Sequence, residues 1–221
     1  MQFLINVFFS GKSAYEIILT ENSFHPIRSQ SYYPHYGDEL IPILTRRELI
    51  VGAFHNVDVL IGNTHDEGSF IEATSNLNVF GIYGLNNPKI NKTFGESLLD
   101  NFFTDFPAKD DVKEYYLGKL AEYDYDEIRE QVYTAMGDFI LQCPTKYFAE
   151  TYASKRNRVY YYFFEHRPST TPWAEWMKVP HFSEIEFVFG QPLLNPGRYT
   201  LEEVELSSKI MRMWSNFVKY G

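Results

Sequence analysis

Val57-Asp58-Val59-Leu60-Ile61-Gly62-Asn63-Thr64-His65-Asp66-Glu67-Gly68 is the stretch from which the fold is read. Val57 to Ile61 is nearly continuous apolar chain, rich in β-branched residues. Such a run suits a strand of a parallel sheet, buried on both faces. Gly62 to Gly68 is then the loop at the strand's carboxyl end, the edge where open α/β sheets bind ligands. Two carboxylates, Asp66 and Glu67, lie in that loop, and spacing alone does not choose between them. A second run, Val159-Tyr160-Tyr161-Tyr162-Phe163-Phe164, reads as another strand buried on both faces. The loop after it carries Trp173, Trp176 and His181. The region between the two runs, from Ser69 to Lys155, reads as helical and irregular. Strand, helices, strand and helix in that order favour an α/β fold over an all-helical one.

Working outward, Thr45 and Glu48 form a capping box for a short helix, with Leu44 and Leu49 as its hydrophobic staple. Ser97 is placed to cap Leu98 to Phe103. Ile128, Val132, Ala135, Met136 and Phe139 recur at helical spacing and are expected in the core. Thr200 and Glu203 make a second capping box, opening a long final helix with a stripe of Leu206, Ile210, Met213, Trp214 and Phe217. Residues 1–30 show no clear period and are left as an uncertain segment. Within them, Gln2 to Phe9 resembles a short signal-peptide core without a basic segment before it. Tyr32 to Pro42, with Pro34 and Gly37, reads as an extended loop.

With 221 residues, 44% of them hydrophobic, the chain can bury a real core. The formal net charge is −9 and no Lys/Arg-rich run appears, which argues against a nucleic-acid partner. No apolar run approaches the roughly 20 residues that a membrane helix needs. Cys143 is the single cysteine, either a buried thiol or half of a bridge to a partner elsewhere. Asn91-Lys92-Thr93 is a glycosylation sequon, meaningful only in a secreted protein. Neither a cofactor nor a metal is expected.

The carboxylate loop and the later histidine suggest one chemistry. A serine hydroxyl is a poor nucleophile until a histidine takes its proton and a carboxylate holds that imidazole in the right tautomer. In α/β-hydrolases the chain order is nucleophile, acid, histidine. Glu67 and His181 fit the last two places, and the nucleophile is expected to lie outside these residues.

Gly62-Asn63-Thr64-His65-Asp66-Glu67-Gly68-Ser69-Phe70 resembles the acid-bearing segment of the cholinesterase and type-B carboxylesterase family. Tyr161 to Arg167 and Trp173 to His181 resemble its histidine segment. Glu184 to Gly190 and Met211 to Phe217 resemble the segments that follow. The resemblance runs from about Tyr33 to Gly221. It implies the carboxyl-terminal portion of an α/β-hydrolase fold over residues 31–221: a few sheet strands, a large helical insertion and a long last helix. It also implies that Glu67, not Asp66, is the acid, that Glu184 supports the pair from behind, and that the serine elbow and oxyanion loop lie upstream. Phe94-Gly95-Glu96-Ser97 begins like the family's serine motif, but lacks the second glycine and falls between acid and histidine, so Ser97 is expected to be a cap.

By the same resemblance, Phe70 faces a quaternary ammonium, Trp173 walls the choline site, and Ile71 leaves a roomier acyl pocket than a phenylalanine would. The family usually carries glycine and then tyrosine after the histidine, where this chain has Phe182 and Ser183. Cys143 falls at a position bridged to a cysteine beyond Gly221. That position and the Asn91 sequon imply a secreted or cell-surface protein. The implied function is hydrolysis of a small carboxylic ester, choline esters included, by a protein that forms homodimers. The alternative is a non-catalytic, cholinesterase-like adhesion or binding protein.

Overall fold

The computed structural model describes residues 11–16, 19, 36–39, 41 and 43–221. The signal-like run Gln2–Phe9 and most of residues 1–30 lie outside the described residues. So does half of the Tyr32–Pro42 stretch, whose described part passes through bends. The chain divides into residues 1–51 and 52–221, each taken by itself. In the first, helix α1 spans Thr45–Val51. Arg47 and Glu48 donate their backbone N–H groups to the Leu44 carbonyl. Leu44 therefore occupies the cap and Thr45 the first helical position, one residue earlier than the Thr45 capping box would place it.

In the second unit, β1 spans Val59–Thr64, α2 Glu67–Ser75, α3 Leu77–Phe80, α4 Lys92–Phe102, α5 Lys109–Leu117 and α6 Tyr125–Gly137. A π-helical turn over Asp138–Gln142 leads into α7, Cys143–Ser154. Then come β2 (Val159–Phe164), a 3₁₀ turn over Glu175–Met177, α8 (Ile185–Val188), α9 (Gln191–Leu194) and the long α10 (Leu201–Tyr220). β1 and β2 pair in parallel, in register from Val59 opposite Val159 to Thr64 opposite Phe164. Parallel neighbours need a long crossover, and the helices α2 to α7 supply it. The turn after β1 is only His65-Asp66, because the strand runs to Thr64 and α2 starts at Glu67. The seven-residue loop expected over 62–68 is thus mostly strand and helix.

Close backbone approach explains two glycine positions. A Cβ on Gly62 would meet the Tyr162 carbonyl across the strand pair at 2.2 Å. A Cβ on Gly68 would meet the Tyr133 carbonyl at 1.7 Å, and one on Gly137 would meet the Gly68 nitrogen at 2.6 Å. Helices α2 and α6 therefore touch backbone to backbone. Around that contact lies the main core, with Ala73, Phe80, Leu98, Leu99, Ile128, Val132 and Met136. Ala174, Trp176 and Met177, from the segment before His181, belong to the same cluster. A smaller core of Phe164, Val179, Phe187 and Ile210 joins β2, α8 and α10.

Several expectations need correction. The two strands are not buried on both faces: Tyr160, Tyr161 and Phe163 are 44%, 44% and 45% exposed. Among the described residues the sheet has two strands, so too few neighbours cover them. Ser97 does not cap α4. Asn91 does, accepting from the Phe94 N–H at 3.0 Å, while Ser97 sits mid-helix and returns its hydroxyl to the Phe94 carbonyl. Phe139 leaves the core stripe, 49% exposed, because the π turn shifts the helix phase; it packs against Phe102, Phe103 and Phe106.

On α10 the inward stripe is Glu203, Ser207 and Ile210, flanked by Leu206 and Trp214, and Met213 faces out. Polar residues on that face are satisfied. Ser207 Oγ donates to the Phe187 carbonyl, and the Thr200/Glu203 capping box is complete. Burial opposes ionisation of Glu203, but hydrogen bonds from Ser169 and His166 and from the Ser169 and Thr200 N–H groups outweigh it and bring its carboxyl down to about 2.

Glu72 on α2 is the opposite case. It is fully buried, accepts only from Asn76 Nδ2 at 3.1 Å, and leaves Oε2 without a partner among the described residues. Burial pushes its carboxyl up from 4.5 to about 7. The unfolded chain loses this proton near 4.5 while the folded chain keeps it until about 7, so Glu72 erodes stability as pH rises through that window. Glu72→Gln is expected to be more stable than the parent by on the order of 3 kcal/mol near pH 8, the gap closing below about pH 4.5. Urea melts of the two chains across pH check this.

Candidate active site

Parallel pairing brings the carboxyl ends of β1 and β2 side by side, and both candidate loops leave from there. Glu67 stands in the first turn of α2, 3% exposed. Its Oε1 accepts the Thr64 N–H at 2.8 Å and Asn63 Nδ2 at 3.3 Å. Its Oε2 meets His181 Nδ1 at 2.6 Å. A carboxylate held this way through one oxygen presents the other at a fixed place. Asn63 is oriented in turn from the neighbouring strand, where Tyr161 donates to Asn63 Oδ1 at 2.7 Å and so turns the amide's N–H side toward Glu67.

Asp66 faces elsewhere. It is 5% exposed, and its Oδ1 accepts the Tyr133 hydroxyl at 3.0 Å. Its Oδ2 accepts the Val179 N–H at 3.1 Å and lies 2.9 Å from His65 Nδ1. Its own N–H donates to the Val179 carbonyl at 2.9 Å. Asp66 thus staples the carboxylate turn to the strand of chain just before His181. Ser69 adds a second staple by donating to the Met177 carbonyl at 2.9 Å. From the other side Arg167 binds the carbonyls of Lys178 and of Trp173, the latter at 2.8 Å.

Pro180 to Ser183 form a tight turn. The Ser183 N–H and hydroxyl both donate to the Pro180 carbonyl, at 3.2 and 2.6 Å. His181 and Phe182 are the two central residues. Phe182 takes φ +77°, a conformation that such turns usually reserve for glycine and that costs a side-chain-bearing residue about 1–2 kcal/mol. Its ring lies 3.8 Å, centroid to centroid, from the imidazole. Phe70, one turn of α2 beyond Glu67, is 6.3 Å from the imidazole and edge-on to both Phe182 and Trp173, at 5.8 and 5.6 Å. Trp173 stacks on Tyr83 at 5.3 Å. Among the described residues His181 Nε2 has no hydrogen-bond partner.

Glu67, His181, Phe70 and Trp173 are therefore brought together. Ile71 follows Phe70 on α2, half-buried. Glu184 makes no hydrogen bond to the pair: its Oε1 takes the Tyr162 hydroxyl at 3.4 Å and its Oε2 is buried without a partner among the described residues. Burial, with the Glu184 charge behind it, pushes the Tyr162 phenol up to about 12. Asn91 spends Oδ1 on the α4 cap, which leaves Nδ2, the atom a glycan would occupy, outside that bond. Cys143 is exposed and free at the start of α7, its thiol raised by burial and by Asp138. Sequence reasoning missed the roles of Asn63, Ser69 and Arg167. It weighed Asp66 only as a rival acid, although a second carboxylate beside the first, at a strand end, was the available signal.

A parallel strand pair that delivers a buried carboxylate to a histidine in the next strand's loop, with helices in the crossover, defines the carboxyl-terminal portion of an α/β-hydrolase. The chain belongs to the carboxylesterase family, whose sequence model matches residues 5–221. It is 36% identical to acetylcholinesterase-1 of Trittame loki over 191 residues, 85% of this chain and 34% of that protein. It is 32% identical to the cholinesterase of Mus musculus and 33% identical to the acetylcholinesterase of Bungarus fasciatus, each over 96% of this chain and 35% of the relative. The chain thus spans about a third of the length of these relatives. No helix among the described residues is long and apolar enough to cross a membrane.

Removing Asp66 strands the Tyr133 hydroxyl and the Val179 N–H in the interior. Asp66→Ala is expected to cost about 2–4 kcal/mol, because each orphaned buried donor carries about 1–3 kcal/mol. Chemical denaturation against the parent measures it, and an effect under about 0.5 kcal/mol, the size of an ordinary surface change, would contradict the staple.

Proposed function

We propose that the chain is the carboxyl-terminal part of a serine carboxylesterase and supplies Glu67 as the acid and His181 as the base of a Ser–Glu–His triad. The observation that carries this is the 2.6 Å contact between Glu67 Oε2 and His181 Nδ1, made by a buried carboxylate whose other oxygen is held by the Thr64 N–H. The serine and its oxyanion donors come from chain that precedes these residues in a longer protein, and residues 31–221 are the share of the catalytic domain present here. The chain's one-third coverage of its relatives supports this division.

In this reading His181 Nε2 takes the serine proton as the oxygen attacks the ester carbonyl, while Nδ1–H keeps donating to Glu67 Oε2 and the carboxylate stabilises the imidazolium. Collapse of the tetrahedral intermediate expels the alcohol, which leaves with the proton from Nε2. Water then repeats the cycle on the acyl-serine and releases the acid. The substrate is a small carboxylic ester, choline esters included. Phe70 and Trp173 offer ring faces to a cationic alcohol by cation–π attraction, and Ile71 borders the acyl side. A glycan on Asn91, a bridge from Cys143 to later chain, and an extracellular location complete the proposal.

The 221-residue chain alone is expected to hydrolyse an aryl ester no faster than its His181→Ala variant, since one oxyanion donor alone is typically worth about 10²–10³ in rate. Joined to its preceding chain with a Gly-x-Ser-x-Gly elbow it should turn over, and Glu67→Gln should lower kcat by about 10³–10⁴. Turnover by the short chain that His181→Ala abolishes would place a nucleophile inside these residues. A longer chain with another residue in place of the elbow serine would favour the adhesion alternative.

A further inference from the structure

We propose that Phe182 is a positioning residue for His181: its ring, seated beside the imidazole on a turn that disfavours any side chain, keeps the imidazole from rotating off Glu67. The inference rests on the triad reading above and adds to it a residue that acts through the imidazole. Three observations meet at this side chain. The backbone is at φ +77° at the third position of the Pro180–Ser183 turn, where a residue without a side chain would sit free of strain. The ring is 51% exposed, so burial of its own apolar surface does not account for the strained placement. What the placement achieves is contact, 3.8 Å to the imidazole and 5.8 Å edge-on to Phe70. Strain of this kind persists only where the surroundings impose it, and it gathers at sites that need a fixed geometry.

The geometry to be fixed is that of one torsion. Rotation of the imidazole about its Cβ–Cγ bond would carry Nδ1 away from Glu67 Oε2. Glu67 resists this through a single hydrogen bond, and His181 is itself only part-buried. With Phe182 against the imidazole and Phe70 flanking both rings, 6.3 Å from the imidazole and 5.8 Å from Phe182, that swing meets a ring held at its side by a second ring. The backbone on both sides is already pinned, by the Asp66–Val179 pair before the turn and by Ser183 on Pro180 within it. Phe182 is the element that acts on the side chain itself.

The test uses the 221-residue chain with ¹⁵N-labelled histidine and follows the His181 Nδ1–H resonance, assigned by its loss in Glu67→Gln. Phe182→Gly and Phe182→Ala are expected to speed exchange of that proton with water about tenfold, the scale of one lost aromatic contact, and Phe182→Tyr to restore the parent rate. Melting temperature is read alongside. The glycine variant relieves the turn, so its melting point should stay within about 4 °C of the parent. Unchanged exchange in both the glycine and alanine variants overturns the positioning role while leaving the Glu67–His181 pair standing. A parent chain whose spectrum holds no Nδ1–H signal sensitive to Glu67→Gln overturns the pair, and the positioning role with it.

Discussion

Two adjacent carboxylates buried at the end of one strand are the constraint from which the site follows. A buried carboxylate must find donors or lose its charge, and Asp66 and Glu67 find theirs in different directions. Asp66 takes the Val179 N–H and the Tyr133 hydroxyl, and with its own N–H on the Val179 carbonyl it binds the histidine loop to the carboxylate turn. Glu67 takes the Thr64 N–H, Asn63 and then His181. Because the first residue sets where the loop lies, the second can meet the imidazole at hydrogen-bond distance. Neither arrangement would exist without the parallel register of β1 and β2, which starts both loops at the same level.

That register is secured from below by the core. Helix α2 leaves the turn at once and closes on α6 through Gly68 and Gly137, near enough that a single methyl would collide with backbone. Trp176 and Met177 drop from the histidine loop into the same core, so the loop is rooted on one side and clamped by Arg167 on the other. The histidine loop holds two side-chain-bearing residues at positive φ, Lys178 and Phe182, the second of them next to the imidazole.

Much of this was legible in the chain. The bounds of β2 were visible because a bulky aromatic run favours a strand whatever surrounds it, and the Thr200 cap because its partner stands three residues away. The start of β1 slipped by two residues: Val57 is apolar, but its N–H goes to the Tyr152 hydroxyl instead of a strand neighbour. Ser97 looked like a cap and is not, since Asn91 begins the helix a turn and a half earlier. Local spacing could not choose between Asp66 and Glu67, because the choice depends on Tyr133 and Val179, far away in sequence. Arg167 and Asn63 carried no local pattern either, as their work is to bind backbone or side chains brought near by the fold. The positive φ at Phe182 had one signal, the glycine that the family usually carries there; the residue type itself argues against it, and the Pro180–Ser183 turn demands it.

The account is tested most directly by a structure of this chain joined to the chain that precedes it, with the distance from His181 Nε2 to the nearest hydroxyl oxygen as the quantity measured. A serine Oγ on a strand-to-helix elbow within roughly 2.6–3.2 Å of Nε2 is the predicted result. An Nε2 facing no serine, with Glu67 and His181 still paired, would show that the pair is a relic of the fold and not half of a catalytic triad.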